Sequence, residues 1–279
     1  MLRRALLAAS ASESVRHLVT TVPLTRGVVA RFVAGDTADD ALAVTRRLLG
    51  RLAAGGMSAD GRAEVSVKPT AVGLDLAEHG EKTARENIAR ICAAARDADT
   101  TVTLDAEDHS RVEPTLRIVA QLRPEFPDLG CVIQSYLRRS PDDCRALAAE
   151  GSRVRLCKGA YNAAADVAFT SRAEVDRCYA RCLRALLDGP GYPMIATHDP
   201  RLITIGAALA ALADRPAAGF EYQMLYGIRP AEQRRLAGTG ARMRVYVPYG
   251  SDWYGYLVRR LAERPANLAF FLRSLASRG

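Results

Sequence analysis

From residue 62 onward the chain alternates short apolar runs with longer helical patterns, and that rhythm limits its folds more than any other feature. Seven runs read as strands: 64–68 (EVSVK), 101–105 (TVTLD), 131–134 (CVIQ), 154–157 (VRLC), 194–197 (MIAT), 220–223 (FEYQ) and 244–247 (RVYV). Helical patterns over 78–98, 111–122, 141–150, 171–187, 200–213 and 230–236 separate them. A strand, a helix and another strand in succession make a crossover, which joins parallel strands. No linker-like stretch interrupts the series, so one domain is expected.

Within the strands a period of two separates apolar from polar side chains. Val65 and Val67 alternate with Ser66 and Lys68, Val102 and Leu104 with Thr103 and Asp105, Val154 and Leu156 with Arg155 and Cys157, and Val245 and Val247 with Arg244 and Tyr246. An open doubly wound sheet is covered by helices on both faces and would want both faces apolar. A closed barrel tolerates polar groups inside, above all at the carboxyl ends of its strands. The expected class is therefore α/β, a (β/α)8-type TIM barrel.

Composition adds mainly exclusions. The chain has 279 residues, 49% hydrophobic, and a formal charge of +8 from 39 basic and 31 acidic residues. Only Lys68, Lys82 and Lys158 are lysines, so the charge reflects arginine usage and is weak support for a polyanion partner. No aromatic and basic interleaving suggests nucleic acid. The six cysteines form no CxxC and read as buried thiols in a reducing compartment. The four histidines are scattered, so no metal is expected. The start, MLRRALLAASASESVRHLV, has too short an apolar run for a signal peptide and continues as a helix; a cytoplasmic protein is expected. No GxGxxG follows a strand, which argues against a Rossmann-type dinucleotide site.

The strand ends collect the chemistry: Lys68, Asp105, Gln134, Arg155 with Lys158, Thr197 with His198, Gln223 and Tyr246. In a barrel they converge on one mouth. The segment 253–271 (WYGYLVRRLAERPANLAFF) is amphipathic, yet Tyr256, Arg259, Arg260 and Glu263 share one arc of about 100° beside its apolar stripe, at about 100° per residue. Paired guanidinium forks suit a planar carboxylate, and an acid beside them suits a cationic nitrogen. An amino-acid-like ligand satisfies both.

Together these blocks resemble the proline dehydrogenase family: SVKPTAVG (66–73), TLDAEDH (103–109), IQSYLRRS (133–140), RVRLCKGAYN (153–162), MIATHDP (194–200), EYQMLYG (221–227), RVYVPYG (244–250) and YLVRRLAERPAN (256–267). The resemblance implies an FAD-dependent barrel enzyme of the monofunctional bacterial kind, oxidising L-proline to 1-pyrroline-5-carboxylate by hydride transfer to flavin N5, the first step of proline catabolism. It implies Asp105 and Arg155 as the catalytic pair. It implies Lys68, Tyr246, Tyr256, Arg259, Arg260 and Glu263 around the substrate, and Ala106, Gln134, Arg155, Lys158, Gly159, Ala160, Thr197 and His198 at the FAD. Tyr246 implies a preference for proline over hydroxyproline. A quinone or other acceptor would reoxidise the flavin, which gives the positive surface a second use, peripheral contact with the inner face of the membrane.

The expected layout is an N-terminal helical region over 1–55, a barrel region over 56–279, and a C-terminal helix over the barrel mouth. One departure stands out. The family carries a strand before SVK that ends in an Asp-x-Leu-Gly-Glu turn, and roughly thirty residues of that pattern are missing between 33 and 68. Either GVVARFVA (27–34) fills the place of this first strand, or the barrel has an open edge. The alternative function is then an inactive or regulatory relative that does not retain FAD.

Overall fold

The computed structural model describes residues 28–32, 37–58 and 61–249, with residues 28–32 and Pro248 described by backbone alone. The seven strands read from the sequence form a curled parallel sheet: β2 (Ala63–Val67), β3 (Thr101–Leu104), β4 (Gly130–Gln134), β5 (Arg153–Cys157), β6 (Tyr192–Ala196), β7 (Glu221–Leu225) and β8 (Met243–Tyr249). Outside them lie α1 (Ala38–Ala54), α2 (Gly80–Asp97), α3 (Val112–Leu122), α4 (Ser140–Ala149), α5 (Arg172–Asp188), α6 (Pro200–Leu212) and α7 (Pro230–Gly238).

An eighth strand, β1 (Val28–Phe32), lies within GVVARFVA (27–34), the segment that one of the two sequence readings put in the place of the apparently missing first strand. It pairs in parallel with β2, Val28 opposite Ala63, and with β8, Val28 opposite Val245, so the strand order closes on itself. Either edge left open would expose a row of unpaired N–H and C=O groups. A five-residue strand ahead of a helix carries too little periodic signal for the sequence to decide between the two readings. Residues 28–54, expected in an N-terminal helical region, thus contribute a strand and a helix to the ring. The expected N-terminal helices before residue 28 and the C-terminal helix over the mouth lie outside the described residues.

Local sequence sets the helix starts. Thr37 accepts from the Asp40 N–H at 3.2 Å, Ser171 from Glu174 at 3.2 Å, and Asp199 from Arg201 at 3.0 Å; each satisfies a donor that the first turn leaves unpaired. Pro141 and Pro200 occupy first-turn positions where a missing N–H costs nothing.

The strands sort their side chains as the period of two demands. Val65, Val102, Leu104, Ile133, Val154, Leu156 and Ile195 are buried with Ile88, Ile91, Ile118, Leu183 and Leu186 of the helices. At about 1.5–3 kcal/mol for each large aliphatic side chain removed from water, this outer layer supplies the main cohesion. Cys178 and Cys182 belong to it, their sulfurs 3.9 Å apart. The lumen is the reverse. Glu64, Ser66, Thr103, Asp105, Arg155, Glu221, Gln223 and Arg244 are each 9% or less exposed. Barrels of this kind commonly fill the lumen with branched apolar residues; here much of it is ionic.

Candidate functional site

Arg155 lies in the middle of β5 and reaches across the lumen to three other strands. Its Nε donates to Gln223 Oε1 on β7 at 2.6 Å, one terminal nitrogen to Ser66 Oγ on β2 at 2.9 Å and to Asp105 Oδ1 beyond β3 at 3.0 Å, and the other to Glu64 Oε1 on β2 at 2.5 Å. Burial opposes the guanidinium charge, but Glu64 and Asp105 outweigh it and raise the pKa above the ordinary arginine value. Arg155 therefore stays a fixed cation. Glu64 is fully buried; burial alone would raise its pKa, yet Arg155, Arg244 and Arg153 bring it below the usual carboxylate range.

Asp105 sits where β3 opens into the mouth and gathers three donors. Ser66 Oγ donates to Oδ1 at 2.7 Å beside Arg155, and Tyr246 Oη donates to Oδ2 at 2.9 Å. The Arg155 guanidinium carbon also lies 5.4 Å from the centre of the Tyr246 ring. The two residues implied as a catalytic pair are thus in direct contact, with a tyrosine implied at the substrate against both. Lys68, one residue past β2, is paired with Glu107 at 3.5 Å, and Glu107 is held by the Thr70 hydroxyl at 2.7 Å and N–H at 3.0 Å. Gln134 donates to the Glu107 carbonyl at 2.8 Å.

The residues implied at a cofactor lie on the same carboxyl side. Lys158 Nζ is 2.5 Å from Asp176 and 2.9 Å from Asp199, and Arg201 bridges the same two carboxylates. Burial pushes the Asp199 carboxyl up, but bonds from Arg201 and Lys158 dominate and hold it well below the ordinary range. Thr197 Oγ1 accepts from the Asp199 N–H at 3.1 Å. His198 Nε2 accepts from the Leu225 N–H at 3.0 Å, which puts the proton of the neutral ring on Nδ1. Gly159 has φ +102, and a Cβ there would stand 2.2 Å from the Tyr136 ring. Only glycine allows that packing. Tyr136 is 7% exposed, its hydroxyl has no partner among the described residues, and burial raises its pKa to about 12. Ala106 is half-buried and Ala160 exposed on the same rim. Burial likewise raises the Cys157 thiol to about 12, so it is no thiolate nucleophile at neutral pH.

Of the residues singled out from sequence, Lys68, Asp105, Ala106, Gln134, Arg155, Lys158, Gly159, Ala160, Thr197, His198 and Tyr246 lie on β-strands or on the turns at their carboxyl ends. Gln223, Arg155 and Tyr246 are corrected: β7 runs on to Leu225, β5 to Cys157 and β8 to Tyr249, so none of the three is at a strand end, and Gln223 sits inside the lumen, orienting Arg155. Tyr256, Arg259, Arg260 and Glu263 lie outside the described residues. Sequence reasoning passed over Glu64, Glu107, Tyr136, Asp176 and Asp199. For Glu64 the signal was present, since it shares the parity of Ser66 and Lys68. For Asp176, on a helix, no strand pattern could have revealed it.

An oriented cation under a mouth lined by polar groups suits stabilisation of negative charge that develops during a reaction. Residues 31–273 match the family described as Proline dehydrogenase. The chain is 41% identical over 273 residues to "Proline dehydrogenase 1" of Bacillus subtilis (strain 168), covering 88% of this chain and 89% of that one. It is 41% identical over 213 residues to "Proline dehydrogenase" of Deinococcus radiodurans, covering 76% and 69%. The fold superposes with TM-score 0.74 and 27% identity on a crystal structure of proline utilization A (PutA) from Bdellovibrio bacteriovorus inactivated by N-propargylglycine; the match covers 91% of this chain and 31% of that much longer one.

Proposed function

We infer the chemistry from one premise: the chain belongs to the proline dehydrogenase family. It is an oxidoreductase that acts on proline, the first step of proline catabolism. The finer reading is that it binds FAD on the barrel mouth and oxidises L-proline to 1-pyrroline-5-carboxylate, with Asp105 and Arg155 as the catalytic pair. The observation that carries this reading is Arg155, a buried cation fixed by four partners immediately beneath Asp105 and Tyr246.

The residues present fit a flavin. The buried Tyr136 hydroxyl, against the Gly159 turn and without a partner among the described residues, is a polar atom that a flavin group could engage, and Lys158, Thr197 and His198 line the same rim. FAD, when bound, would supply the two-electron acceptor for the hydride that leaves the proline ring carbon next to nitrogen. Gln134, Arg155, Lys158, Thr197 and His198 would hold it, with Ala106, Gly159 and Ala160 giving close backbone approach. Arg155 supplies positive charge where negative charge accumulates. Asp105 keeps Arg155 and the Tyr246 hydroxyl in place.

On the substrate side, Lys68, Arg259 and Arg260 hold the carboxylate, Glu263 meets the ring nitrogen, and Tyr246 and Tyr256 wall the ring beneath a C-terminal helix that completes a (β/α)8 barrel. A quinone or other acceptor takes the electrons onward, and the protein works in the cytoplasm or at the inner face of the membrane. The alternative, an inactive relative without FAD, would follow from an open edge; the pairing of β1 with both β2 and β8 supports the reading in which the flavin is retained.

The test is spectroscopic. Purified protein carries flavin absorbance that L-proline bleaches without oxygen. Protein without flavin, or flavin that proline does not reduce, refutes the reading.

A further inference from the structure

Glu64 lies on β2, one residue after the strand begins and two before Ser66. It is 0% exposed, with Oε1 2.5 Å from Arg155 and Oε2 3.1 Å from Arg153. Its partner Arg155 has four engaged N–H directions, and they divide by height. Ser66 and Asp105 hold the nitrogen nearer the mouth, Gln223 holds Nε, and Glu64 takes the remaining nitrogen from the amino side of β2, two residues before Ser66. Without Glu64 the guanidinium would keep Gln223, Ser66 and Asp105 but lose its anchor on the amino side of β2. With it, orientation is set from opposite sides. The lumen also balances in charge: Glu64, Asp105 and Glu221 face Arg153, Arg155 and Arg244. Loss of the Glu64 charge would leave one cation in excess, and Arg155 is the closer of the two arginines that Glu64 contacts.

We propose that Glu64 is a positioning residue: acting only through Arg155, it fixes the orientation of that guanidinium and tempers its positive charge, and so sets the electron affinity of the group Arg155 serves. This rests on the FAD reading above. Neutralising Glu64 strengthens the field of Arg155, and reduction, which adds negative charge, becomes easier. Substrate contacts are untouched, so the effect falls on kcat rather than KM for proline.

The test is the flavin midpoint potential of the holoenzyme and of Glu64→Gln, Arg155→Met and the double variant, with folding checked by circular dichroism. Glu64→Gln keeps shape and one acceptor. It is expected to raise the ratio of reduced to oxidised flavin about tenfold at fixed potential, equal to about +30 mV for a two-electron couple. In the Arg155→Met background the same change should move the ratio less than twofold. Glu64→Asp keeps the charge but withdraws it, and should lower kcat while leaving the potential within twofold. An unchanged potential in Glu64→Gln, or a shift of equal size without Arg155, overturns the proposal, and so does failure of both the Gln and Asp variants to fold. Flavin that proline bleaches, together with an unmoved potential, overturns this inference alone; purified parent protein without flavin overturns the FAD reading with it.

Discussion

Arg244→Met would break the most enclosed ion pair of the barrel floor. Arg244 and Glu221 are 3% and 0% exposed and meet through two parallel bonds, Nε to Oε1 at 2.7 Å and a terminal nitrogen to Oε2 at 2.9 Å. Arg244 also donates to the carbonyls of Gly61 at 2.9 Å and Arg62 at 3.1 Å. Gly61 and Arg62 are exposed, and water can replace those two bonds. Glu221 has no such recourse. It retains Gln223 Nε2 at 2.6 Å and the Tyr192 hydroxyl at 3.1 Å, but neither carries a charge. Removing one member of a buried pair costs about 3–5 kcal/mol, mostly the penalty of the stranded charge. At about 2–3 °C per kcal/mol for a chain of this size, the melting temperature should fall by roughly 6–15 °C. Adding Glu221→Gln removes the stranded charge and should recover most of the loss. Thermal unfolding followed by circular dichroism measures both. A single variant within about 2 °C of the parent, or a double variant no better than the single, would falsify the argument that the floor is held by charge pairing.

The other predictions concern the mouth. Gly159→Ala places a methyl 2.2 Å from the Tyr136 ring at φ +102; flavin content per chain should drop sharply while far-ultraviolet dichroism changes little, and full flavin occupancy would contradict the role given to that turn. Tyr246→Phe removes the bond to Asp105 Oδ2 at 2.9 Å; a charge-assisted bond is worth about 1.5–3 kcal/mol, so kcat/KM for proline should fall about tenfold to a hundredfold in steady-state assays. Arg260→Met should raise KM for proline by the equivalent of about 2–5 kcal/mol, and unchanged kinetics would refute a substrate contact by Arg260. Glu64 and Asp199 both titrate below the ordinary carboxylate range. The unfolded chain therefore binds protons before the native one on acidification. Their stabilisation is complete above the unfolded carboxylate values, near pH 4, and is lost as pH falls through the lower native values; Asp199→Asn should flatten that fall in melting temperature measured from pH 7 down to pH 3.

What was legible in the sequence and what was not divides along a physical line. Strand period reports which way a side chain points, so the apolar outer layer and the polar lumen could be read from Val65 beside Ser66 or Leu156 beside Arg155. Short apolar runs between helices fixed the parallel order, and the spacing of the eight blocks carried the family. Partner choice is a different kind of information. Nothing local joins Arg155 to Glu64 on one strand and Gln223 on another, or Lys158 to Asp176 on a helix; closure of the ring brings the first set within bonding distance, and packing of α5 on β5 brings the second. Ring closure also rested on β1, a five-residue strand whose place depends on two neighbours rather than on its own pattern. The sequence by itself determined the layers, the mouth and the family. The tertiary structure decided which charges neutralise which, because pairing in a barrel is set across the lumen, between residues that the chain keeps far apart.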